Sequence, residues 1–328
     1  MASRGINYPD LWGSYGGHHD LAMALASGTD GALSTMFSEF NHAGAETILL
    51  SSETLSYAND AEIRRLHGLL SGQPTTIVFY CRRWSELIPS CWHEMVKQGS
   101  FRTLPEFALS CLQDPWTCPT LNFELVLARY AAVFGHDSLR IVSYNGVLET
   151  DDDLLTHFCR HFLNWPDPPS PGLGRVNVSN DMMDTEIIRA LNALEWTRAR
   201  DGKCVLYPFY LDAKDSLPLF WLIKQMKCEV DAIPLDDAVP GLAQLQAHIA
   251  GQYQAALVPP YPDGRLFTPR AAKVWHVRPD YQTSPWVMEM LRGMHAKLLA
   301  IAAREAVIIP RSDGTQAETS LVPLRGLR

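Results

Sequence analysis

The strongest constraint on the fold is the alternation of short apolar runs with longer segments of helical periodicity. Residues 75–80 read Thr-Thr-Ile-Val-Phe-Tyr, a β-branched and aromatic run after a Gly-Gln-Pro turn, which predicts a strand. Residues 47–52 and 139–144 show similar runs. Helical patterns occur between and after them, at residues 59–70, 85–97, 123–134 and 151–162. This alternation predicts an α/β fold in which helices flank a parallel sheet.

The second half of the chain is less regular. Prolines at positions 166, 168, 169 and 171 predict a linker or long loop. We therefore divide the chain into an α/β core at residues 1–165, a Pro-rich linker at 166–180 and a mostly helical region at 181–328. In this last region we predict a strand at 205–211 and helices at 184–198, 217–227, 242–256 and 285–305.

Charge and hydropathy exclude several classes of protein. The net charge of -8 is not that of a typical nucleic-acid-binding protein, and no dense Lys/Arg run is present. No apolar run approaches the roughly 18 residues that cross a bilayer, and no secretory signal precedes the first helix. We expect a cytoplasmic protein without a transmembrane segment. The seven cysteines contain no CxxC pair, so we expect reduced thiols.

An arginine pair follows the clearest predicted strand. Residues 77–90 read Ile-Val-Phe-Tyr-Cys-Arg-Arg-Trp-Ser-Glu-Leu-Ile-Pro-Ser, which puts Ser90 near the start of the next helix. Arg82 can form bidentate bonds to a phosphate, Ser90 can donate another, and the helix start offers free N–H groups. The alternative is that Arg82 and Arg83 are surface charges paired with Glu86 or Asp60.

The order of several motifs resembles that of sulfotransferases. A Tyr-x-Arg at a strand end, with a serine eight positions later, is similar to the segment that binds the 3′-phosphate of 3′-phosphoadenosine 5′-phosphosulfate (PAPS). Residues 5–9, 18–22 and 48–53, then Phe134-Gly135 and the strand ending at Tyr144, follow the order of bacterial, carbohydrate-sulfotransferase-like members. The resemblance covers about residues 1–165 and extends more weakly to 194. It implies a P-loop NTPase-like sulfotransferase fold.

The resemblance also implies an activity. Such a protein transfers a sulfuryl group from PAPS to a hydroxyl, for example on a carbohydrate, and needs no metal. Arg82 and Ser90 would bind the 3′-phosphate, and Tyr144 would lie near the adenine. Glu53 would take the proton of the acceptor hydroxyl; the alternative is a capping or surface role. Asn177 would lie near the nucleotide, or it could cap the following helix.

One family feature is missing from the sequence. Members begin with a strand and a Gly/Thr/Ser-rich loop whose lysine neutralises charge on the 5′-phosphosulfate. The early glycine-rich segments, residues 13–17 and 27–31, contain no lysine. The chain therefore resembles a member that lacks the first βα unit. Three interpretations stay open: an active sulfotransferase, an inactive nucleotide- or glycan-binding module, and a truncated remnant.

Histidine pairs are the remaining candidates for chemistry. His18 and His19 are adjacent on a predicted helix, where their side chains point about 100° apart and chelate one ion poorly. His157 and His161 share a helical face, but no third ligand is evident nearby. We therefore predict no metal site.

Overall fold

The structure, a computed structural model, describes residues 5–8, 18–28, 46–70, 72–150, 153–168, 181–198, 205–227, 229–259, 261 and 264–305. The chain forms two compact units, each built from three segments. The first unit contains Met1–Arg83, Pro115–Gly172 and Pro240–Thr268. The second contains Trp84–Asp114, Leu173–Val239 and Pro269–Arg328.

The described residues form α-helices and β-strands in alternation. In chain order, the strands are β1 (Ile6–Asn7), β2 (Thr47–Ile48), β3 (Ile77–Cys81), β4 (Leu139–Ser143), β5 (Val230–Asp236), β6 (Leu257–Val258) and β7 (Ala271–Val277). The helices are α1 (His19–Ser27), α2 (Asp60–Leu69), α3 (Trp84–Lys97), α4 (Leu104–Leu112), α5 (Glu124–Phe134), α6 (Tyr144–Glu149), α7 (Leu154–Phe162), α8 (Met182–Arg198), α9 (Tyr207–Ala213), α10 (Leu219–Lys227), α11 (Pro240–Gln252) and α12 (Pro285–Glu305). None of these helices is long and apolar enough to cross a bilayer.

Parallel strands form the sheets of the first unit. β1 pairs with β2, and β4 lies between β3 and β6 in a separate three-stranded sheet. Leu139, Ile141 and Val142 of β4 are fully buried, as expected for a central strand covered by helices on both faces. The predicted α/β class with helices flanking parallel strands is therefore confirmed.

Local sequence signals explain where the helices of this unit begin. The Asn59 side chain accepts the N–H groups of Ala61 and Glu62, while Glu62 accepts the Asn59 N–H, which completes a capping box at the start of α2. An apolar cluster of Leu21, Leu25 and Leu66 holds α1 against α2. The predicted helix at residues 59–70 is confirmed.

The second unit is mainly helical and is organised around α8. This helix packs against α3 and α12, and β5 and β7 form an antiparallel ladder beside it. Polar residues of α8 are buried together with its apolar ones: Asp184, Thr185, Glu186, Arg189, Asn192 and Glu195 are at most 6% exposed. A mostly helical second half is thus interrupted by strands that the sequence did not indicate.

The strand predicted at residues 205–211 is wrong. Residues 207–213 form α9, and Leu206, Phe209, Tyr210 and Ala213 are buried at helical spacing. Pro208 occupies the first turn, where its missing N–H costs nothing. The predicted linker lies mostly outside the described residues, so the division at 165 and 180 stays a prediction.

Candidate functional site

The carboxyl ends of β3 and β4 bring two sequence-predicted residues together. Cys81 pairs with Ser143 at the end of the parallel ladder, so the next residues, Arg82 and Tyr144, leave the sheet side by side. The guanidinium carbon of Arg82 lies 5.3 Å from the centroid of the Tyr144 ring, within the range of a cation–π contact. Both residues are half-buried.

A sharp transition from strand to helix positions Tyr144. Ser143 ends β4, and its Oγ accepts the Gly146 N–H at 3.1 Å, which caps α6. The predicted strand therefore ends one residue early, and Tyr144 is the first helical residue. The chain turns from strand to helix at Tyr144, so the Tyr144 side chain lies at the carboxyl edge of the sheet.

Arg83, unlike Arg82, is a buried structural residue. It is 2% exposed, and its backbone N–H donates to Asn145 Oδ1 at 2.7 Å. Its Nε donates to the Thr268 carbonyl at 2.9 Å, and its Nη2 to Glu149 at 2.6 Å. The alternative of a surface charge is wrong for Arg83, because this residue is buried and pairs with Glu149.

The start of α3, in the second unit, differs from the sequence expectation. We expected free N–H donors there, but the Ser85 N–H donates to Asp237 Oδ1 at 2.7 Å and the Ser85 hydroxyl to Oδ2 at 2.6 Å. Asp237 is 1% exposed. A carboxylate of the protein thus already occupies the positive end of the helix dipole.

Ser90 lies half-buried in α3. It belongs to the second unit, whereas Arg82 belongs to the first. Their joint binding of one phosphate stays a prediction.

Glu53 lies on the surface of the first unit. It opens a 3₁₀ helix, Glu53–Tyr57, and the cap of that helix is Ser52, whose Oγ accepts the Thr54 N–H. Of the two alternatives for Glu53, the capping role of its side chain is therefore wrong, whereas a surface position agrees with the structure. Its carboxylate is exposed and makes no hydrogen bond to another described residue.

The two N-terminal histidines have different partners. His18 is buried, and its Nδ1 accepts the Ser51 N–H at 2.8 Å. His19 is exposed and lies 3.1 Å from Ser52 Oγ through its Nδ1. The pair ties α1 to the segment after β2.

His157 and His161 stack with ring centroids 4.3 Å apart. The buried His157 contacts the Tyr80 hydroxyl through Nδ1 and donates from Nε2 to the Pro259 carbonyl. Burial, and then the nearby Cys159, raise the pKa of Tyr80. In the part of the chain that the structure describes, no three His, Cys, Asp or Glu side chains come close enough to hold a metal ion.

Some predicted residues cannot be placed. Asn177 and the glycine-rich segment at 13–17 lie outside the described residues, as do residues 29–31 of the second such segment. Sequence analysis missed two residues that hold this region, Asn145 and Asp237. Asn145 could have been suspected only because it directly follows Tyr144, and Asp237 had no signal in the sequence beyond its polar side chain.

Comparisons with known proteins identify no relative. No family model matches the chain, and no curated protein and no solved structure matches it. The function must therefore be argued from the geometry of the site itself.

Proposed function

We infer that this protein is a sulfotransferase of the P-loop NTPase-like kind, which binds PAPS at the carboxyl edge of β3 and β4. The observation that carries this proposal is the contact of Arg82 with Tyr144. The family resemblance assigns Arg82 to the 3′-phosphate and Tyr144 to the neighbourhood of the adenine. Two residues that one nucleotide must touch are therefore neighbours in space although they are distant in sequence.

The chemistry of the pair suits a nucleotide. Arginine can contact an aromatic face and bind a phosphate at the same time, because its five N–H groups lie in the guanidinium plane. The Tyr144 ring offers an apolar surface next to this charge. Ligands of parallel sheets bind at the carboxyl ends of the strands, where both side chains lie.

Arg83 supports this site by fixing the backbone next to Arg82. Three groups hold it: Asn145 on α6, Glu149 at the end of the same helix, and the Thr268 carbonyl. A site fixed before binding loses less conformational entropy when the ligand arrives. The adjacent arginines thus divide two tasks, with Arg83 for structure and Arg82 for the ligand.

In the proposed reaction the acceptor hydroxyl oxygen attacks the sulfur of PAPS. The bond from sulfur to the bridging oxygen breaks, and adenosine 3′,5′-bisphosphate leaves. Glu53 is the proposed base that takes the hydroxyl proton, since its carboxylate is exposed to an incoming acceptor. The family resemblance also assigns Ser90 and Asn177 to the nucleotide, and this assignment rests on the sequence alone.

Thermal-shift titration with adenosine 3′,5′-bisphosphate tests the nucleotide site. A ligand of the folded state at 100 times its Kd stabilises that state by about 2.7 kcal/mol, which raises Tm by roughly 5 °C. Adenosine 5′-monophosphate, which lacks the 3′-phosphate, should give a much smaller shift. Arg82→Ala should weaken binding roughly 10- to 100-fold, because a charge-assisted contact to phosphate is lost.

Arg292→Ala is the matched control, because Arg292 is an exposed arginine of α12 in the second unit. It should bind as the unmodified protein does. An equal shift for Arg82→Ala would refute the assignment. Binding without sulfuryl transfer from PAPS to any hydroxyl acceptor would favour the inactive binding module instead.

A further inference from the structure

Side chains from two distant segments of the chain, Trp116 and Glu124 from one and His248 from the other, meet on the surface of the first unit. The Trp116 ring lies edge-on to His248, with centroids 5.3 Å apart. His248 Nε2 is 2.8 Å from Glu124 Oε2. Trp116 is 39% exposed, and the side chains of His248 and Glu124 are 42% and 25% exposed, so all three can reach a ligand. We call this group the Trp116 cluster.

Buried contacts hold the Trp116 cluster in place. Asn122 is 3% exposed, its Nδ2 donates to the Trp116 carbonyl at 2.8 Å, and its Oδ1 accepts the Glu124 N–H at 3.1 Å. One buried amide therefore sets the backbone of both Trp116 and Glu124. The loop is closed further by the Asn122 N–H, which donates to the Cys118 carbonyl at 2.9 Å.

Close packing brings α11 to the same loop. A Cβ added at Gly241 would lie 3.4 Å from the Cγ of Pro115, so the start of α11 lies within van der Waals reach of the residue before Trp116. His248 lies two turns further along α11 and on the same face as Gly241. The position of α11 therefore places the imidazole of His248 next to the loop that contains Trp116.

The chemistry of the Trp116 cluster fits a sugar. An indole offers a flat apolar surface for the C–H groups of a pyranose ring. Its polar N–H can stay in contact with water while the ring face packs on the sugar. The carboxylate of Glu124 accepts hydrogen bonds from hydroxyls, while the Nδ1 of His248 remains as a further polar atom. A phosphate or sulfate would meet the negative charge of Glu124, which disfavours an anionic ligand.

We propose that the Trp116 cluster is a binding site for a neutral saccharide. This proposal rests only on the geometry of the cluster and not on the proposed function. The sugar ring packs on Trp116, and its hydroxyls bond to Glu124 and His248.

Isothermal titration with three neutral probes, cellotetraose, chitotetraose and mannotetraose, tests the proposal. At least one should bind at millimolar concentration or below. Trp116→Ala should weaken that binding roughly tenfold or more, and Trp116→Phe should restore part of it, because a smaller ring retains some stacking. Glu124→Gln keeps the size of the side chain and should also weaken binding. Trp286→Ala, which removes an exposed tryptophan of α12, should not.

The outcomes separate this proposal from the nucleotide site. No heat of binding with any of the three probes, or equal affinity in Trp116→Ala and Glu124→Gln, overturns the saccharide site. Saccharide binding without a thermal shift from adenosine 3′,5′-bisphosphate keeps it and refutes the sulfotransferase. A thermal shift from the nucleotide without saccharide binding keeps the sulfotransferase proposal and refutes the saccharide site. Circular dichroism of each variant verifies that it is folded.

Discussion

The carboxyl edge of β3 and β4 and the helix α8 both gather polar side chains, but under opposite conditions. At the sheet edge, Arg82 and Tyr144 are half-buried and contact each other through a weak cation–π interaction. On α8, Glu186 and Arg189 are 3% exposed and joined by two bonds of 2.8 Å. The difference teaches which charged side chains the fold buries completely and which one it leaves partly accessible.

The partners of α8 show how completely its charges are satisfied. Arg189 also donates to the Phe101 carbonyl at 2.8 Å, and the Tyr281 hydroxyl donates to Glu186 at 2.6 Å. Burial lowers the pKa of Arg189, but bonding to Glu186 outweighs it and the net change is upward. A buried charge with this many partners contributes to structure and is not free to change partners.

The largest expected effect therefore comes from α8. Arg189→Ala leaves the carboxylate of Glu186 buried without its cation, which costs about 3–5 kcal/mol of the free energy of unfolding. Urea denaturation followed by circular dichroism measures it. The double variant Glu186→Gln with Arg189→Met removes both charges and should be much less destabilised. A loss below 1 kcal/mol in the single variant would contradict the comparison.

Asp237 should rank second. Asp237→Asn keeps the shape of the side chain but turns a charged acceptor of the Ser85 N–H and hydroxyl into a neutral one, at a cost of about 1.5–3 kcal/mol. The same urea titration measures it. Ser85→Ala loses only the hydroxyl bond and should cost less, about 1 kcal/mol. Equal losses in the two variants would mean that the charge is unimportant.

The two arginines at the sheet edge give the next contrast. Arg83→Met removes bonds to Thr268 and Glu149 from a buried position and should lower the free energy of unfolding by about 1.5–3 kcal/mol. Arg82→Met should change it by less than about 1 kcal/mol, because Arg82 is only half-buried and its cation–π contact with Tyr144 is worth about that much. Urea titration of both variants measures the two changes in the free energy of unfolding. The reverse order would exchange the structural and ligand roles of the two residues.

The smallest effects concern one helix cap in each unit. Thr103→Ala at the start of α4, and Asp153→Ala at the start of α7, should each cost about 1 kcal/mol near pH 7. Hydrogen bonds from the Thr103 backbone and hydroxyl lower the pKa of Glu106, and those from the hydroxyl and backbone of Thr156 lower that of Asp153.

The sign of the pH effect follows from these shifts. A carboxyl group with a lower pKa in the folded state contributes stability above its unfolded pKa and loses it as the pH falls through the folded value. The usual values are 4.5 for Glu106 and 3.8 for Asp153. The cost of Thr103→Ala, which removes the hydroxyl partner of Glu106, should therefore shrink as the pH falls below 4.5, and the cost of Asp153→Ala should shrink as the pH falls below 3.8. A cost that does not change with pH would contradict this account.

Local periodicity predicted the elements whose signal is strong. The strands predicted at residues 75–80 and 139–144 begin and end within two residues of β3 and β4, because runs of β-branched and aromatic residues are distinctive. The predicted helix at 285–305 coincides with α12. β5 and β7 were missed because Pro234 and the charged residues of each strand hide the pattern, and only their mutual pairing makes them strands.

The candidate site was predictable only in part. Arg82 and Tyr144 could be expected to meet, since parallel strands end at the same edge of a sheet. The bond from Ser85 to Asp237 joins residues separated by 152 positions, and nothing near Ser85 announces it. Sequence periodicity predicts which face of a helix or strand a residue occupies. A buried hydrogen bond depends instead on which distant segment packs against that face.

The division of each unit among three segments of the chain sets the order of events in folding. β6 completes the sheet of β3 and β4 by pairing Leu257 with Ile141, and β7 completes the ladder of β5 from residues 271–277. A ribosome must therefore release most of the polypeptide before either unit can close. High contact order of this kind slows folding and leaves unpaired strand edges exposed until the last segment arrives.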